Sequence, residues 1–191
     1  MWSFGPEIYG PNVLVNDTLV NGVDQKLLDR VRHSLVEGFK WSTREGPLCD
    51  EPMRNVKFRV IDAQIALNPA DSPIGQMIPT ARRAYYSAFL TASPRLMEPI
   101  YLTEIQCTTA ESIDAVFTVL GKRRGTIQTE VPKPGTPHYI IKATIPCIEL
   151  LGFETDLRVH TVGQAFCLST FDHWQVLPGD PLDKKIVLRP L

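Results

Sequence analysis

One glycine–lysine pair is the nearest approach to a phosphate-binding loop in this sequence. Gly121 and Lys122 are adjacent, but Arg123 follows where a P-loop needs Ser or Thr, and Val116 stands where its first glycine belongs. Without a glycine-rich cradle and a hydroxyl group for Mg²⁺, the phosphates of a nucleotide have no binding loop. We therefore expect this chain to bind no cofactor and to hydrolyse no GTP.

Residues that commonly bind metals or act as nucleophiles are scattered along the chain. The cysteines show no CxxC spacing, and the histidines have no partner at metal-ligand spacing. No GxSxG motif is present, and Asp50 and Glu51 lie in a proline-containing stretch typical of solvated turns. The sequence therefore predicts no catalytic residue and no metal site. The residues concerned are Cys49, Cys107, Cys147, Cys167, His33, His138, His160 and His173.

Two short basic groups are the remaining candidates for binding chemistry. Arg82 and Arg83 lie on a predicted helix, and Lys122, Arg123 and Arg124 follow another. Such groups either contact phosphates or face solvent, and at a helix end the macrodipole also favours cations. Both interpretations stay open, and we keep these five residues as partner-contact candidates.

The composition is that of a globular protein without a nucleic-acid-binding field. Of 191 residues, 43% are hydrophobic and 21% are charged, and the formal net charge is -1. These values argue against disorder and against a basic surface for nucleic acid. No apolar run approaches the ~18 residues that a membrane-spanning helix needs, so we expect no membrane partner.

Hydrophobic spacing predicts two strands and two helices in the first half. Residues 12–16 form a strand candidate, and residues 23–39 have helical spacing with Asp24 as a cap. Alternation over residues 56–67 predicts one long strand. Pro79 is expected to begin the second helix, because proline suits the first helical position.

The second half has the pattern βαββαβ. Thr108 and Glu111 form a potential capping box, and Gly121 is expected to end the helix that follows. This order is that of the ferredoxin-like unit, in which both helices cover one face of an antiparallel sheet. The predicted strands are 100–107, 125–130, 139–145 and 163–171. The first predicted helix carries an apolar stripe at Ile113, Val116, Phe117 and Leu120, and the second covers residues 149–160.

The chain resembles the C-terminal part of eukaryotic elongation factor 2 and its relatives. The runs that carry the resemblance are 43–51 (TREGPLCDE), 78–83 (IPTARR), 94–101 (PRLMEPIY), 171–174 (FDHW) and 178–181 (PGDP). The resemblance implies an α/β (α+β) chain. An elongated, ribosomal-protein-like domain IV would cover residues 1–94, and a ferredoxin-like domain V residues 95–174. Residues 175–191 are punctuated by proline and glycine and become apolar again at 186–188, which predicts a tail that packs back on the first domain.

Other runs resemble the spliceosomal branch of that family, the GTPase of the U5 small nuclear ribonucleoprotein. They are 2–6 (WSFGP), 54–58 (RNVKF), 152–158 (GFETDLR) and 182–191 (LDKKIVLRPL). In such proteins the GTPase domain lies far upstream. The two aromatic residues close behind Met1, Trp2 and Phe4, also suggest a cut inside a longer chain. We therefore expect this chain to be a fragment.

A loop before the second helix, residues 68–75 (NPADSPIG), departs from elongation factor 2. There the family resemblance places a histidine that is modified to diphthamide, and Asp71 occupies its position. A carboxylate is repelled by RNA phosphates, which disfavours a ribosomal contact. Asn68, Pro69, Asp71 and Ser72 therefore join the partner-contact candidates.

The resemblance implies a non-catalytic role in pre-mRNA splicing. The nucleotide state of the missing domain, which would bind GTP and magnesium, would reposition these domains in the nucleus. Their partners would be a large spliceosomal scaffold protein and the helicase that unwinds small nuclear RNA, with RNA nearby. The outcome would be control of spliceosome activation and disassembly. The alternative is a divergent elongation factor 2 that acts in ribosomal translocation.

Overall fold

The chain divides into two compact units, residues 1–94 and residues 95–191. A computed structural model describes residues 1–18, 22–68 and 73–183. The first unit has a three-stranded sheet of order β1-β2-β3, in which β1 is antiparallel and β3 parallel to β2. Its elements are β1 (Ser3–Gly5), β2 (Asn12–Asn16), α1 (Gln25–Arg44), β3 (Lys57–Val60) and α2 (Ile74–Thr91).

The helix α1 forms where the sequence predicts it and runs one turn further. The Asp24 carboxylate accepts a hydrogen bond from the Lys26 amide at 2.9 Å, which confirms the predicted cap. Leu28, Val31 and Phe39 are buried. In the extra turn the fully buried Thr43 hydroxyl donates to the Phe39 carbonyl at 2.9 Å, so this buried polar group has a partner.

Three aromatic rings form the centre of the first core. Phe39 lies edge-to-face against Phe58 at 5.8 Å and against Tyr85 at 5.9 Å between ring centroids, and Phe58 and Tyr85 are 5.2 Å apart. Such edge-to-face pairs add to the free energy gained from burial. Burial also raises the pKa of the Tyr85 phenol. The core therefore joins α1, α2 and β3 through one aromatic cluster.

The strand predicted over residues 56–67 is wrong beyond Val60. Its partner β2 ends at Asn16, and the Asp17 amide closes the ladder by donating to the Val60 carbonyl at 2.9 Å. The Arg30 guanidinium instead donates to the carbonyls of Ala66 at 2.9 Å and Leu67 at 3.1 Å. The polypeptide after Val60 is therefore held by a side chain of α1.

The second helix begins before the proline that was expected to start it. The carbonyl of Pro73 accepts hydrogen bonds from the Gln76 amide at 3.0 Å and the Met77 amide at 3.1 Å, so the first turn is complete upstream. Pro79 then lies inside α2 and removes one backbone donor there. The Thr80 hydroxyl donates to the Gln76 carbonyl at 2.8 Å in that same turn.

The second unit confirms the predicted ferredoxin-like order. Its four strands are antiparallel in the spatial order β5-β6-β4-β7, and its helices pack on one face of the sheet. Fully buried side chains from sheet and helices, including Ile105, Ile141, Leu120 and Phe153, form the core. The elements are β4 (Met97–Cys107), α3 (Glu111–Lys122), β5 (Thr126–Pro132), β6 (Tyr139–Pro146), α4 (Cys147–Leu150), α5 (Phe153–His160) and β7 (Ala165–Val176).

Several local predictions in this unit are wrong. Residues 149–160 form two helices, because Gly152 has a positive φ of 74° that breaks the helical path. The capping box does not form, since both the amide and the hydroxyl of Thr108 donate to the Gln164 carbonyl. The helix α3 passes Gly121 and ends before Arg124, which has a positive φ of 55°.

The strand β7 runs to Val176, two residues into the predicted tail. The Leu177 amide donates to the Leu96 carbonyl at 2.9 Å, and Arg95 pairs with Asp180 at 3.4 Å. Residues 184–191 lie outside the described residues, so the predicted packing of the tail on the first domain stays a prediction. Among the described residues, none of the helices has the length and apolar character needed to cross a membrane.

We predict that Phe39→Ala strongly destabilises the first unit. Phe39 is fully buried between two rings, so the substitution removes its burial and leaves a cavity that costs about 3 to 5 kcal/mol. Urea unfolding followed by tryptophan fluorescence measures the loss, since Trp2 and Trp41 both lie in this unit. Leu67→Ala is the control, because Leu67 is 82% exposed. Equal unfolding free energies for the two variants would contradict this account of the core.

Candidate functional site

Four of the nine partner-contact candidates belong to the loop before α2. Asn68 is exposed. Pro69, Asp71 and Ser72 lie outside the described residues, so their role stays a prediction. The remaining five are the arginines of α2 and the basic group that closes α3.

Arg82 is held inside the first unit by four groups. Its guanidinium lies 4.2 Å from the centroid of the Trp41 ring and 5.1 Å from that of Tyr86. The same group donates to the Glu45 carboxylate at 3.0 Å and to the Tyr86 hydroxyl at 2.9 Å. The Tyr86 hydroxyl in turn donates to the Glu45 carbonyl. Arg82 therefore joins α2 to the end of α1 and is not a free cation for a partner.

Arg83 differs from its neighbour. Its side chain is exposed, and it forms no ion pair with any residue that the structure describes. Of the two adjacent arginines, Arg82 therefore has a structural role and Arg83 lies on the surface.

We predict that Arg82→Ala and Arg83→Ala differ in their effect on folding. Arg82→Ala removes two ring contacts and a charged hydrogen bond, which should lower the free energy of unfolding by about 1 to 3 kcal/mol. Arg83→Ala should change it by less than about 0.5 kcal/mol, as is usual for surface positions. Urea titration of both variants measures the difference. An Arg82→Ala chain as stable as the Arg83→Ala chain would show that the cluster contributes nothing.

Arg123 occupies a comparable structural position in the second unit. One guanidinium nitrogen donates to the carbonyls of Glu149 and Leu151, both at 2.7 Å. The opposite side donates to the Asp156 carboxylate, with the Nε at 3.2 Å. Arg123 thereby spans the break between α4 and α5. The hydrogen bond from Arg123 lowers the pKa of Asp156 from its ordinary value.

We predict that Asp156→Asn destabilises the chain at neutral pH and has no effect in strong acid. The folded-state pKa of Asp156 is lowered, so its stabilising contribution is present above the unfolded pKa of about 3.9 and is lost as the pH falls through the folded pKa. Thermal midpoints of both proteins, measured from neutral pH downwards, give the difference. A difference in midpoint that stays constant with pH would contradict the assigned ion pair.

Arg124 and Lys122 complete the basic group. Arg124 pairs with both oxygens of Glu98, at 2.6 Å and 3.3 Å. This pair borders a cavity of about 230 Å³ that is also lined by Thr126, Thr144 and Gln175. Lys122 is exposed and forms no ion pair within the described residues. Arg83 and Lys122 are thus the basic candidates left for a partner.

The residues that commonly bind metals or act as nucleophiles lie apart in the described part of the chain. In the described ranges, no group of three or more His, Cys, Asp or Glu side chains is placed to hold a metal ion. The four cysteines are free thiols. Burial raises the pKa of Cys107 and of Cys167, which disfavours the reactive thiolate form.

Exposed apolar side chains on β7 were not predicted from the sequence. Phe166 is 52% and Leu168 is 68% exposed on the face of the sheet opposite the helices. The signal was present as the unbroken apolar run 165–168 (AFCL), since such runs are typical of strands that are covered on both faces.

Comparison with known proteins gives the same assignment for both units. Residues 1–93 match the family model described as elongation factor G, domain IV, and residues 95–185 match the model described as elongation factor G C-terminus. The chain therefore belongs to the elongation factor G family and carries its domain IV followed by its C-terminal domain. The fold class that the resemblance implied is confirmed.

Relatives at high identity are spliceosomal proteins. The chain is 61% identical over all 191 residues to the 110 kDa U5 small nuclear ribonucleoprotein component CLO of Arabidopsis thaliana, of which it covers 19%. It is equally similar, at 61%, to the 109 kDa component GFL of the same plant, with 20% of that protein covered. Identity to the pre-mRNA-splicing factor cwf10 of Schizosaccharomyces pombe is 53%, over 19% of that protein. The resemblance to the spliceosomal branch is thus confirmed, and the chain spans about a fifth of these relatives.

Proposed function

We propose that this chain is the non-catalytic C-terminal part of a spliceosomal GTPase and acts in pre-mRNA splicing. The observation that carries the proposal is its identity, over the whole chain, to U5 small nuclear ribonucleoprotein components and to a pre-mRNA-splicing factor. These names favour splicing over the alternative of ribosomal translocation. Such a protein acts in the nucleus.

The chain would act by binding and by transmitting a change of conformation. GTP and magnesium would bind in a separate domain of the longer protein. Hydrolysis of the GTP would change the contacts that these two units make. Such coupling requires two states with different contacts to a partner. The partners proposed are a large spliceosomal scaffold protein and the helicase that acts on small nuclear RNA, with RNA nearby. The proposal of a non-catalytic role is supported by the missing P-loop.

Three of the five basic candidates are neutralised within their own units. Arg82, Arg123 and Arg124 are neutralised within their own units, by Glu45, Asp156 and Glu98. Arg83 and Lys122 remain exposed. Binding to RNA phosphates scales with the number of cations in contact, so the pairing of these three candidates disfavours RNA binding at these two basic groups.

We predict that the chain neither binds nor hydrolyses GTP. Its sequence has no glycine-rich cradle for phosphates and no Ser or Thr after Lys122 to bind Mg²⁺. Calorimetric titration with GTP and Mg²⁺ should give no binding heat, and phosphate release should equal the buffer blank. The full-length protein is the positive control. GTP hydrolysis that remains after contaminating GTPases have been removed from the purified chain would overturn the non-catalytic assignment.

A domain exchange in fission yeast tests the splicing role. The matching residues of cwf10 are replaced by this chain in one strain and by the corresponding residues of elongation factor 2 in another. Intron retention, measured by RNA sequencing, should stay near the wild-type value with this chain and rise with the elongation factor segment. Equal intron retention in the two strains would remove the support for a splicing-specific function.

A further inference from the structure

The strand β7 lies at an edge of the second sheet and is long. It has twelve residues and pairs with β4 on one side, and the described residues supply no strand on its other side. Long apolar edges promote pairing with other chains, and proteins usually shorten, charge or interrupt them. The edge strand β5 is protected in this way, by Glu130, Pro132 and an irregular register between Ile127 and Thr129. The strand β7 has a charged residue and an irregular register at Asp172, but between Ala165 and Phe171 it carries no charged side chain and its register is regular.

The backbone of β7 presents unpaired groups to this free edge. The carbonyl of Gln164 accepts from the Thr108 amide, so the backbone of residue 164 faces β4. Backbone direction alternates along an antiparallel strand. The amides of Cys167 and Ser169 therefore face away from β4 and are positioned to pair with an added strand.

Apolar side chains are exposed on both faces of this one strand. Phe166 and Leu168, paired in register with Gln106 and Glu104, point away from the helices. Phe171 lies on the opposite face against Tyr101, with ring centroids 6.0 Å apart, and is 50% exposed. A helix or a flat surface would cover one face only. A strand added at the edge would place alternate side chains over both faces and would also satisfy the unpaired amides.

We propose that the free edge of β7 binds an extended segment of a protein partner as a fifth strand of the second sheet. The segment would be uncharged opposite residues 165–171, because β7 offers no counter-ion there, and would carry apolar side chains on both faces. This inference rests on the proposed function, since it names the chemistry of a partner contact within the splicing assembly.

Hydrogen exchange provides the first test. Exchange across residues 165–176 is measured in the 191-residue chain at two concentrations, in the full-length protein alone, and in the purified splicing particle that contains it. We expect exchange at Cys167 and Ser169 to slow by more than about tenfold only in the particle. Slow exchange already in the full-length protein alone would assign the edge to its own chain, and slowing with concentration would assign it to a second copy. Either result, or fast exchange in the particle, overturns the proposal.

Matched substitutions and crosslinking then identify the mode of contact. Leu168→Lys should weaken association of the full-length protein with the particle by at least about tenfold, because Lys on an edge opposes strand addition. Val131→Lys, a change at a similarly exposed position on β5, should change the affinity for the particle by less than about twofold. Photocrosslinkers at positions 166, 168 and 170 should reach partner residues spaced by two. Equal effects of the two substitutions, or crosslinks without this spacing, contradict an added strand.

The two proposals fail in different ways. A full-length protein that enters no splicing particle overturns the proposed function and this inference with it. A protein that enters the particle with the edge of β7 still exchanging rapidly overturns this inference alone.

Discussion

The buried amide of Asn12 fixes the framework of the first unit. Its nitrogen donates to the carbonyls of Gly5 at 3.0 Å and Met53 at 2.8 Å, and its oxygen accepts from the Val56 amide at 3.1 Å. One fully buried side chain thus joins β1, β2 and the segment that leads into β3. Buried polar groups are costly when unpaired, so these three segments must keep this arrangement together. The two helices pack Phe39 and Tyr85 against Phe58 of β3, the strand that follows this joint.

Internal pairing also accounts for three of the five basic candidates. Arg82 and Arg123 each satisfy several acceptors and link helices within their own units. Arg124 is neutralised by Glu98. A cation held in such contacts stabilises the fold and has little left for a phosphate. Arg83 and Lys122 are the basic candidates that remain exposed, and β7 presents exposed apolar side chains at a sheet edge.

The order of elements was predictable because it depends on local signals. Apolar spacing defines α1 and the strands of the second sheet, and the Asp24 cap acts within its own turn. The role of each arginine was not predictable, because its partner is distant in sequence. Glu45 lies 37 residues from Arg82, and Asp156 lies 33 residues from Arg123. The end of β3 was predicted wrongly for the same reason, since it depends on where β2 ends and on a side chain from α1. The loop residues Pro69, Asp71 and Ser72 stay predictions.

We propose that this chain serves the spliceosome and not the ribosome. Sequencing the RNA that copurifies with the full-length protein from nuclear and cytoplasmic extracts tests it most directly, because the two assemblies contain different RNAs. We expect strong enrichment of small nuclear RNA over the total RNA of the extract. Enrichment of ribosomal RNA, with small nuclear RNA at its background level, would contradict it.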